Sequence, residues 1–342
     1  MMAPSARESF ASSPQSVAGQ TVVYLGIDGG QTGSRAVAVD ATGSIRAFVE
    51  AHGLIHPLSR GGARRLRSVF EEIRLALPAA LQIRAAYLAL TGVEGPDSPS
   101  HGVASRIATE VWPGVDITVD NDGMAAWAGG TGCKAGVAAM AGTGSVVIAV
   151  NEQGERVRTG GWGAMLGDAG GGWRIAVAAL QQMLRRWDMG SATTDLDRTL
   201  LETLGVTSPA GVAIGVSSGR IPRMRIVNLA MIIAAVAPAD PAARAVLQEA
   251  AADFAVDVAA ALSRLRWRGV PVPVVPIGNI FRAGAVYLEP FEQALASRST
   301  VAFQIRAPVL SSVGGAALLS LREGGLFSDE LIARLADSAV CY

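Results

Sequence analysis

VVYLGIDGGQTGSRAVAV, residues 22–39, places two apolar runs on either side of a glycine-rich turn. Runs of this composition favour β-strands, and the turn residues between them favour an antiparallel pair. The glycines allow backbone N–H groups to approach an anion closely, and the hydroxyls of Thr32 and Ser34 add donors. An ordinary hairpin turn that contains Asp28 is the alternative interpretation of this segment alone.

The same pattern recurs later in the chain. Residues 32–43, TGSRAVAVDATG, match residues 143–154, TGSVVIAVNEQG, and an apolar strand precedes each copy. Two strand–turn–strand units at this separation indicate two similar domains that face each other, although chance similarity between two glycine-turned hairpins is the alternative.

Two such turns, one on each domain, are suited to clamp a triphosphate from opposite sides for phosphoryl transfer. Asp28 at the end of the first strand can hold a hydrated magnesium ion beside the phosphates. Neither turn is a Walker loop, because no Gly-Lys-Ser/Thr sequence follows, and no GxGxxG motif opens a βαβ unit.

Asp120 and Asp122 follow a strand predicted near residues 117–119. A carboxylate there can accept the proton of a hydroxyl that attacks the γ-phosphorus, and spacing alone leaves both residues as candidates for this base. Capping of a helix over residues 124–128 is the structural alternative.

GGWGAMLGDAGGG, residues 160–172, is the densest glycine segment. An aromatic face and a hydrogen-bonding acid, here Trp162 and Asp168, are a common way to hold a polar ring such as a sugar. A flexible linker is the alternative, but Trp162 and Leu166 are poor linker residues.

Composition predicts a folded protein of the cytoplasm. Half of the 342 residues are hydrophobic and 17% are charged, which supports a sizeable core. A formal net charge of zero gives no sign of a nucleic-acid partner, and two cysteines fit a reducing compartment. The apolar run 226–237 is well short of the roughly 20 residues that span a bilayer, so no membrane association is expected. Residues 1–20 read as a disordered leader.

The remaining pattern predicts a mostly helical second half. Strands are expected at residues 85–90 and 272–277, and an irregular stretch at 207–222. Predicted helices cover residues 61–77, 173–187 and 242–266 and a segment after Pro308.

The motifs together resemble the N-acetylglucosamine and glucosamine kinases, which are grouped with activator ATPases of CoA-ester reductases and dehydratases in the BadF/BadG/BcrA/BcrD family. The matching segments, in order, are IDGGQT (27–32), the Asp122 segment, GTGS (142–145), residues 160–172 and Gly278-Asn279. The resemblance implies an α/β protein of two ribonuclease-H-like domains with a nucleotide cleft between them, the actin-like ATPase fold. The domains would span residues 21–122, completed by the C-terminal helix, and residues 123–330, with a helical insertion.

The resemblance also implies ATP and Mg²⁺ as cofactors and a sugar as the acceptor. Asp28 would organise the magnesium ion, and Asp122 would be the catalytic base. The nucleotide would contact Gly29, Gly30, Gln31, Thr32, Gly142, Thr143 and Gly144 through its phosphates and Gly278 and Asn279 through its adenosine. The sugar would contact His56, Thr91, Gly92, Trp162 and Asp168.

Three departures from the family pattern concern mainly the sugar side. His56 stands where the family has an asparagine, residues 169–172 lack the usual acid or amide before Gly-Ser-Gly, and Asn279 replaces a glycine.

From the resemblance as a whole we predict a kinase that phosphorylates N-acetylglucosamine or glucosamine at the 6-hydroxyl. The alternatives are a kinase for another sugar such as N-acetylmuramic acid, an activator ATPase, or a non-catalytic sugar sensor. Many relatives are dimers, which makes a homodimer one possible assembly, but no segment of the sequence identifies an interface.

Overall fold

A computed structural model describes residues 20–338, so all of the predicted leader except Gln20 lies outside the described residues. The first sheet consists of β1 Thr21–Gly29, β2 Gly33–Val39, β3 Ile45–His52, β4 Leu81–Leu90 and β5 Asp116–Asn121. Its strand order is β3-β2-β1-β4-β5. β1, β2 and β3 are antiparallel neighbours, whereas β1, β4 and β5 run parallel.

The second sheet repeats this topology. It consists of β6 Gly136–Ala141, β7 Ser145–Val150, β8 Arg156–Gly160, β9 Val272–Ile277 and β10 Phe303–Ile305. Its order is β8-β7-β6-β9-β10, again with an antiparallel trio followed by two parallel strands. The prediction of two ribonuclease-H-like units is therefore confirmed.

Twelve α-helices and one 3₁₀ helix, Asn279–Ala283, connect and cover the sheets in the described residues. The α-helices are α1 Gly62–Ala76, α2 Pro99–Val111, α3 Asp122–Thr131, α4 Gly172–Asp188, α5 Asp195–Leu204, α6 Pro209–Ser217, α7 Arg223–Val227, α8 Leu229–Val236, α9 Pro241–Ser263, α10 Ala285–Arg298, α11 Ser312–Glu323 and α12 Asp329–Ala336. We call the first sheet with α1, α2, α11 and α12 the first lobe. The second lobe is the second sheet with α4 to α10.

The two copies of the sequence repeat form the same hydrogen bonds at the turn that follows each glycine hairpin. Asp40 Oδ1 accepts hydrogen bonds from the amides of Thr42 and Ser44, at 2.8 and 3.1 Å. Asn151 Oδ1 accepts two amide hydrogen bonds in the same relative positions, at 3.1 and 2.9 Å. Both side chains complete the same kind of Asx turn, which is why aspartate and asparagine replace each other in the repeat.

Helices α3 and α11 join the lobes through a contact between their backbones. A Cβ atom on Gly315 of α11 would overlap the carbonyl oxygen of Ala125 in α3, and one on Gly129 of α3 would overlap the carbonyl oxygen of Ser311, the residue that caps α11. On its other side α11 lies against β1, where Gly26 leaves no room for a Cβ beside Ala317. Glycine at these positions allows the two helices and the strand to approach more closely than side chains would permit.

One predicted irregular stretch is wrong, because residues 209–217 form α6. Ser208 accepts a hydrogen bond from the amide of Gly211 at 3.2 Å, and Pro209 occupies the first helical position. Serine followed by proline is a strong helix-start signal that the apolar pattern alone did not reveal.

Two apolar helical stretches are long enough to cross a membrane by length and composition, Asp195–Ser217 and the bent pair Arg223–Val236 with Pro241–Ser263. The first is two helices, α5 and α6, with a break between them. Helix α5 buries Leu196, Leu200 and Leu204 in the core of the second lobe. Ile214 and Val216 of α6, in contrast, are exposed, and 28% of the most apolar window of the stretch is buried.

Candidate active site

A cavity of about 480 Å³ lies between the lobes and collects most of the predicted site residues. Those that line it are Gln31, Thr32, His56, Thr91, Gly92, Asp122, Thr143, Gly144, Trp162 and Asp168. Sequence reasoning assigned no role to several others, namely Val93, Asn121, Met140, Val146, Arg158 and Arg223.

The other predicted residues are not among those that line this cavity. They are Asp28, Gly29, Gly30, Gly142, Gly278 and Asn279. Asp28 and Gly30 line a neighbouring cavity of about 400 Å³, which shares Thr32 with the first. Gly278 has a φ of 110° and lies against Ala141, where a Cβ atom would overlap the Ala141 carbonyl oxygen. This contact places the end of β9 directly behind the second hairpin.

The two glycine hairpins present amide groups to the cavity. One hydrogen bond closes each turn, from Gly30 N to Gly33 O at 3.0 Å and from Gly142 N to Gly144 O at 2.8 Å. The amides of Gln31 and Thr32 have no acceptor among residues 20–338. Donors of this kind at a glycine turn are suited to bind phosphate oxygens.

Asp122 enters the cavity from the start of α3. Asn121 caps this helix, with Oδ1 accepting from the Gly123 amide at 3.0 Å and Nδ2 donating to the Val93 carbonyl at 2.7 Å. Burial raises the pKa of Asp122 above its ordinary value, and a hydrogen bond from the Thr91 hydroxyl opposes this rise. A carboxylate with a raised pKa that can still ionise is suited to act as a general base.

Asp120 is held in a different way. Its Oδ2 accepts hydrogen bonds from the Tyr87 hydroxyl and from Arg156 Nη1, both at 2.8 Å. Asp120 does not line the cavity. The geometry therefore favours Asp122 over Asp120 as the carboxylate that meets a ligand.

Asp28 lies at the end of β1 with its carboxylate close to that of Asp122. Burial and the charge of Asp122 raise the pKa of Asp28 to about 7, and Arg35 opposes the shift. Within residues 20–338 no hydrogen-bond donor reaches the Asp28 carboxylate. Two neighbouring carboxylates beside phosphate-binding amides form a donor set that suits a divalent cation.

The glycine-rich segment after β8 is fastened to the second hairpin. Asp168 adopts a left-handed conformation, with φ 59°, and accepts hydrogen bonds from the amides of Ser145 and Gly163. A Cβ atom on Gly144 would lie 2.5 Å from Asp168 Oδ2. Ser145 Oγ also donates to the Ala169 carbonyl at 2.6 Å. Trp162 in the same segment is 69% exposed and borders the cavity.

Two arginines of the second lobe were missed by sequence reasoning. Arg158 on β8 and Arg223 at the start of α7 line the cavity, and each guanidinium lies over a tryptophan ring. Arg158 stands two residues before the glycine-rich segment, and this proximity is the sequence feature that could have marked it as a site residue. No pattern in the sequence marks Arg223.

Two lobes of one topology, each with a glycine hairpin facing a shared cavity, define a two-lobed ATPase of the actin-like fold. The profile of the BadF/BadG/BcrA/BcrD ATPase family matches residues 25–320, and the chain belongs to this family. Membership of this ATPase family implies ATP as the nucleotide.

Three known proteins are similar to this chain. An N-acetyl-D-glucosamine kinase from Dictyostelium discoideum is 29% identical over 196 residues, which cover 54% of this chain and 61% of that protein. An N-acetylmuramic acid/N-acetylglucosamine kinase from Clostridium acetobutylicum is 28% identical over 165 residues, 48% of this chain and 54% of that protein. The chain thus matches less than two thirds of the length of these curated relatives. The crystal structure of a candidate N-acetylglucosamine kinase from Chromobacterium violaceum has a TM-score of 0.68 and 25% identity, covering 87% of this chain and 99% of that one.

Proposed function

We propose that this protein is an ATP-dependent amino-sugar kinase that phosphorylates N-acetylglucosamine or glucosamine at the 6-hydroxyl. The observation that carries the proposal is the position of Asp122, in a cavity between two hairpins and opposite Trp162 and Asp168. The names of the relatives from Dictyostelium and Clostridium support phosphorylation of N-acetylglucosamine.

In the proposed reaction, the sugar hydroxyl attacks the γ-phosphorus and Asp122 accepts its proton, while the bond from the γ-phosphorus to the β–γ bridging oxygen breaks and ADP leaves. The amides of Gln31 and Thr32 would bind phosphate oxygens from the first lobe, with Gly29 and Gly30 shaping their turn. Gly142, Thr143 and Gly144 would do so from the second lobe, and Gly278 and Asn279 would lie against adenosine. His56, Thr91, Gly92, Trp162 and Asp168 would surround the sugar.

A magnesium ion fits this site through Asp28. No group of three or more histidine, cysteine, aspartate or glutamate side chains in the described residues could hold a metal by itself. Magnesium commonly takes one or two carboxylates and completes its shell with phosphate oxygens and water, which suits the arrangement at Asp28. When bound, the ion would neutralise charge on the nucleotide phosphates.

We further propose that the enzyme acts in the cytoplasm as a homodimer, without a nucleic-acid or membrane partner. The proposed domains are residues 21–122, completed by the C-terminal helices α11 and α12, and residues 123–330 without those two helices. The packing of α11 on β1 supports the return of the chain to the first domain.

N-acetylmuramic acid is a second candidate acceptor. The relative from Clostridium acts by name on both sugars. His56, in the place of the usual asparagine, borders Gly92, where a Cβ atom would lie 2.9 Å from His56 Cδ2. Because His56 changes the lining of the cavity here, sugars larger than N-acetylglucosamine should also be tested as acceptors.

The test is an ADP-release assay with ATP and magnesium in the presence of glucosamine, N-acetylglucosamine, N-acetylmuramic acid, glucose or no sugar. We expect ADP release only with an amino sugar, and its loss in Asp122→Asn. Asp120→Asn serves as a matched control outside the cavity. Equal ADP release with and without every sugar would refute the kinase and favour an activator ATPase, for which a bound cluster would then be sought.

A further inference from the structure

Arg158 is fixed against the second-lobe wall of the cavity. Its guanidinium carbon lies 5.6 Å from the centroid of the Trp162 ring, and Nη2 donates to the Gly161 carbonyl. Gly161 has a φ of 70°, and a Cβ atom there would lie 2.7 Å from Arg158 Nη2. The backbone at Gly161 and the ring of Trp162 thus hold the guanidinium in one place.

The charge of Arg158 acts on two carboxylates that line the cavity where the acceptor sugar is proposed to bind. It lowers the pKa values of both Asp122 and Asp168, against the effect of burial. The cation that acts on Asp28, beside the first hairpin, is Arg35 instead. Arg158 therefore affects both carboxylates by its charge, and none of the ion pairs found within residues 20–338 includes it.

One N–H group of Arg158 has no partner in the structure. Its Nε is enclosed and forms no hydrogen bond with any described residue. An enclosed donor of a charged group without an acceptor is unfavourable and calls for an explanation, such as a ligand that supplies the acceptor. Arg158 lines the cavity, so a ligand bound there lies within reach of the guanidinium.

We propose that Arg158 is a further substrate-contacting residue, whose guanidinium donates a hydrogen bond to a hydroxyl or acyl oxygen of the acceptor sugar. The inference rests on the proposed kinase function and adds a specificity contact to it. A guanidinium presents several coplanar donors, which suits neighbouring oxygens on a sugar ring. Its place beside Trp162, Asp168 and Asp122, and away from Asp28, favours the sugar over the nucleotide phosphates.

The test measures binding of the sugar without turnover. N-acetylglucosamine and a non-hydrolysable ATP analogue are titrated separately by calorimetry into the full chain, for wild type, Arg158→Gln and Arg158→Lys. Arg156→Lys is the matched control, since Arg156 lies on the same strand but outside the cavity. We expect sugar affinity to fall roughly tenfold to a hundredfold in Arg158→Gln, because hydrogen bonds to charged groups are of this strength. Affinity for the ATP analogue should remain within about twofold.

Deoxy and fluoro analogues of the sugar identify the oxygen involved. The loss caused by Arg158→Lys should disappear for the one analogue that lacks the partner oxygen, which is the mark of a direct contact. An equal loss for every analogue, or weaker binding of the ATP analogue alone, would overturn the proposal. If Arg158→Gln does not fold, the lysine variant carries the same comparison. Wild type that binds no amino sugar would refute the proposed function itself, whereas normal sugar binding by both variants would refute only the role of Arg158.

Discussion

Replacement of Asp122 by asparagine tests its proposed role as a base, because the substitution removes the proton acceptor and keeps the size of the side chain. Asparagine has nearly the same shape and can still accept a hydrogen bond from the Thr91 hydroxyl, which lowers the pKa of Asp122 against the effect of burial. It cannot take up the proton of the attacking hydroxyl. General-base catalysis contributes about 10²–10⁴ in rate, or about 2.7–5.5 kcal/mol of activation free energy, so kcat should fall by this factor.

The Asp122→Asn substitution should lower activity but leave the stability of the fold unchanged or higher. Burial raises the pKa of Asp122, so between the unfolded and folded pKa values the folded state binds more protons than the unfolded state. The free energy of unfolding contributed by this group therefore decreases as the pH rises above about 4. Asp122→Asn lacks this penalty, and its Tm at pH 7.5 should equal or exceed that of wild type.

The assay combines steady-state kinetics of ADP release with calorimetric titration of the ATP analogue and thermal unfolding of the same preparations. A low kcat, unchanged affinity for the analogue and an unchanged or higher Tm would agree with a base. Turnover within about tenfold of wild type would contradict the assignment. A lower Tm would show that Asp122 is needed for the fold rather than for chemistry.

Three further predictions concern the hairpins and the helix contact. Thr143→Val should raise the KM for ATP with little change in the KM for sugar, and a defect confined to the sugar, seen in the same kinetics, would contradict a phosphate contact. Asp40→Asn keeps the Asx turn but loses the ion pair with Arg46, at 2.5 Å. Since hydrogen bonds from Thr42 and Arg46 lower the pKa of Asp40 against the effect of burial, denaturant unfolding should show a loss of about 1–2 kcal/mol at pH 7, and this loss should shrink as the pH falls below the ordinary carboxyl pKa of about 4. Gly315→Ala should lower the free energy of unfolding by about 1–3 kcal/mol or more, because its methyl group meets the backbone at Ala125. Ser320→Ala on the same helix is its control, with a loss of about 1 kcal/mol from one hydrogen bond. We expect Gly315→Ala to lose more than this control, and an equal loss would show that the backbone contact accommodates a methyl group without added cost.

The hairpins and the duplication could be predicted from sequence because their signals are local. Apolar runs, glycine turns and the match between Asp40 and Asn151 all lie within short segments, and the strands and Asx turns formed there. The boundaries of strong helices were also predictable, as for α4 at Gly172–Asp188.

The choice between Asp120 and Asp122 could not be made from sequence. Asp120 is engaged by Tyr87 and Arg156, which are 33 and 36 positions away and meet it only when the sheets are assembled. Likewise, the place of Arg158 depends on the left-handed backbone of Gly161, which the sequence does not specify. Contacts between distant elements, rather than local propensity, decided these positions.

The return of α11 to the first lobe has a consequence for biosynthesis. Ser320 donates a hydrogen bond to the carbonyl of Ala85, across 235 positions of the chain. Val37 and Val39 of β2 are buried in the same cluster, against residues of α11 and α12. When the residues of the first sheet have been synthesised, the helices that cover one of its apolar faces have not. About two hundred more residues must be synthesised before α11 can pack against that face. The order of synthesis thus delays folding of the first lobe to the end of translation, and a chain terminated before residue 312 would expose this face to aggregation.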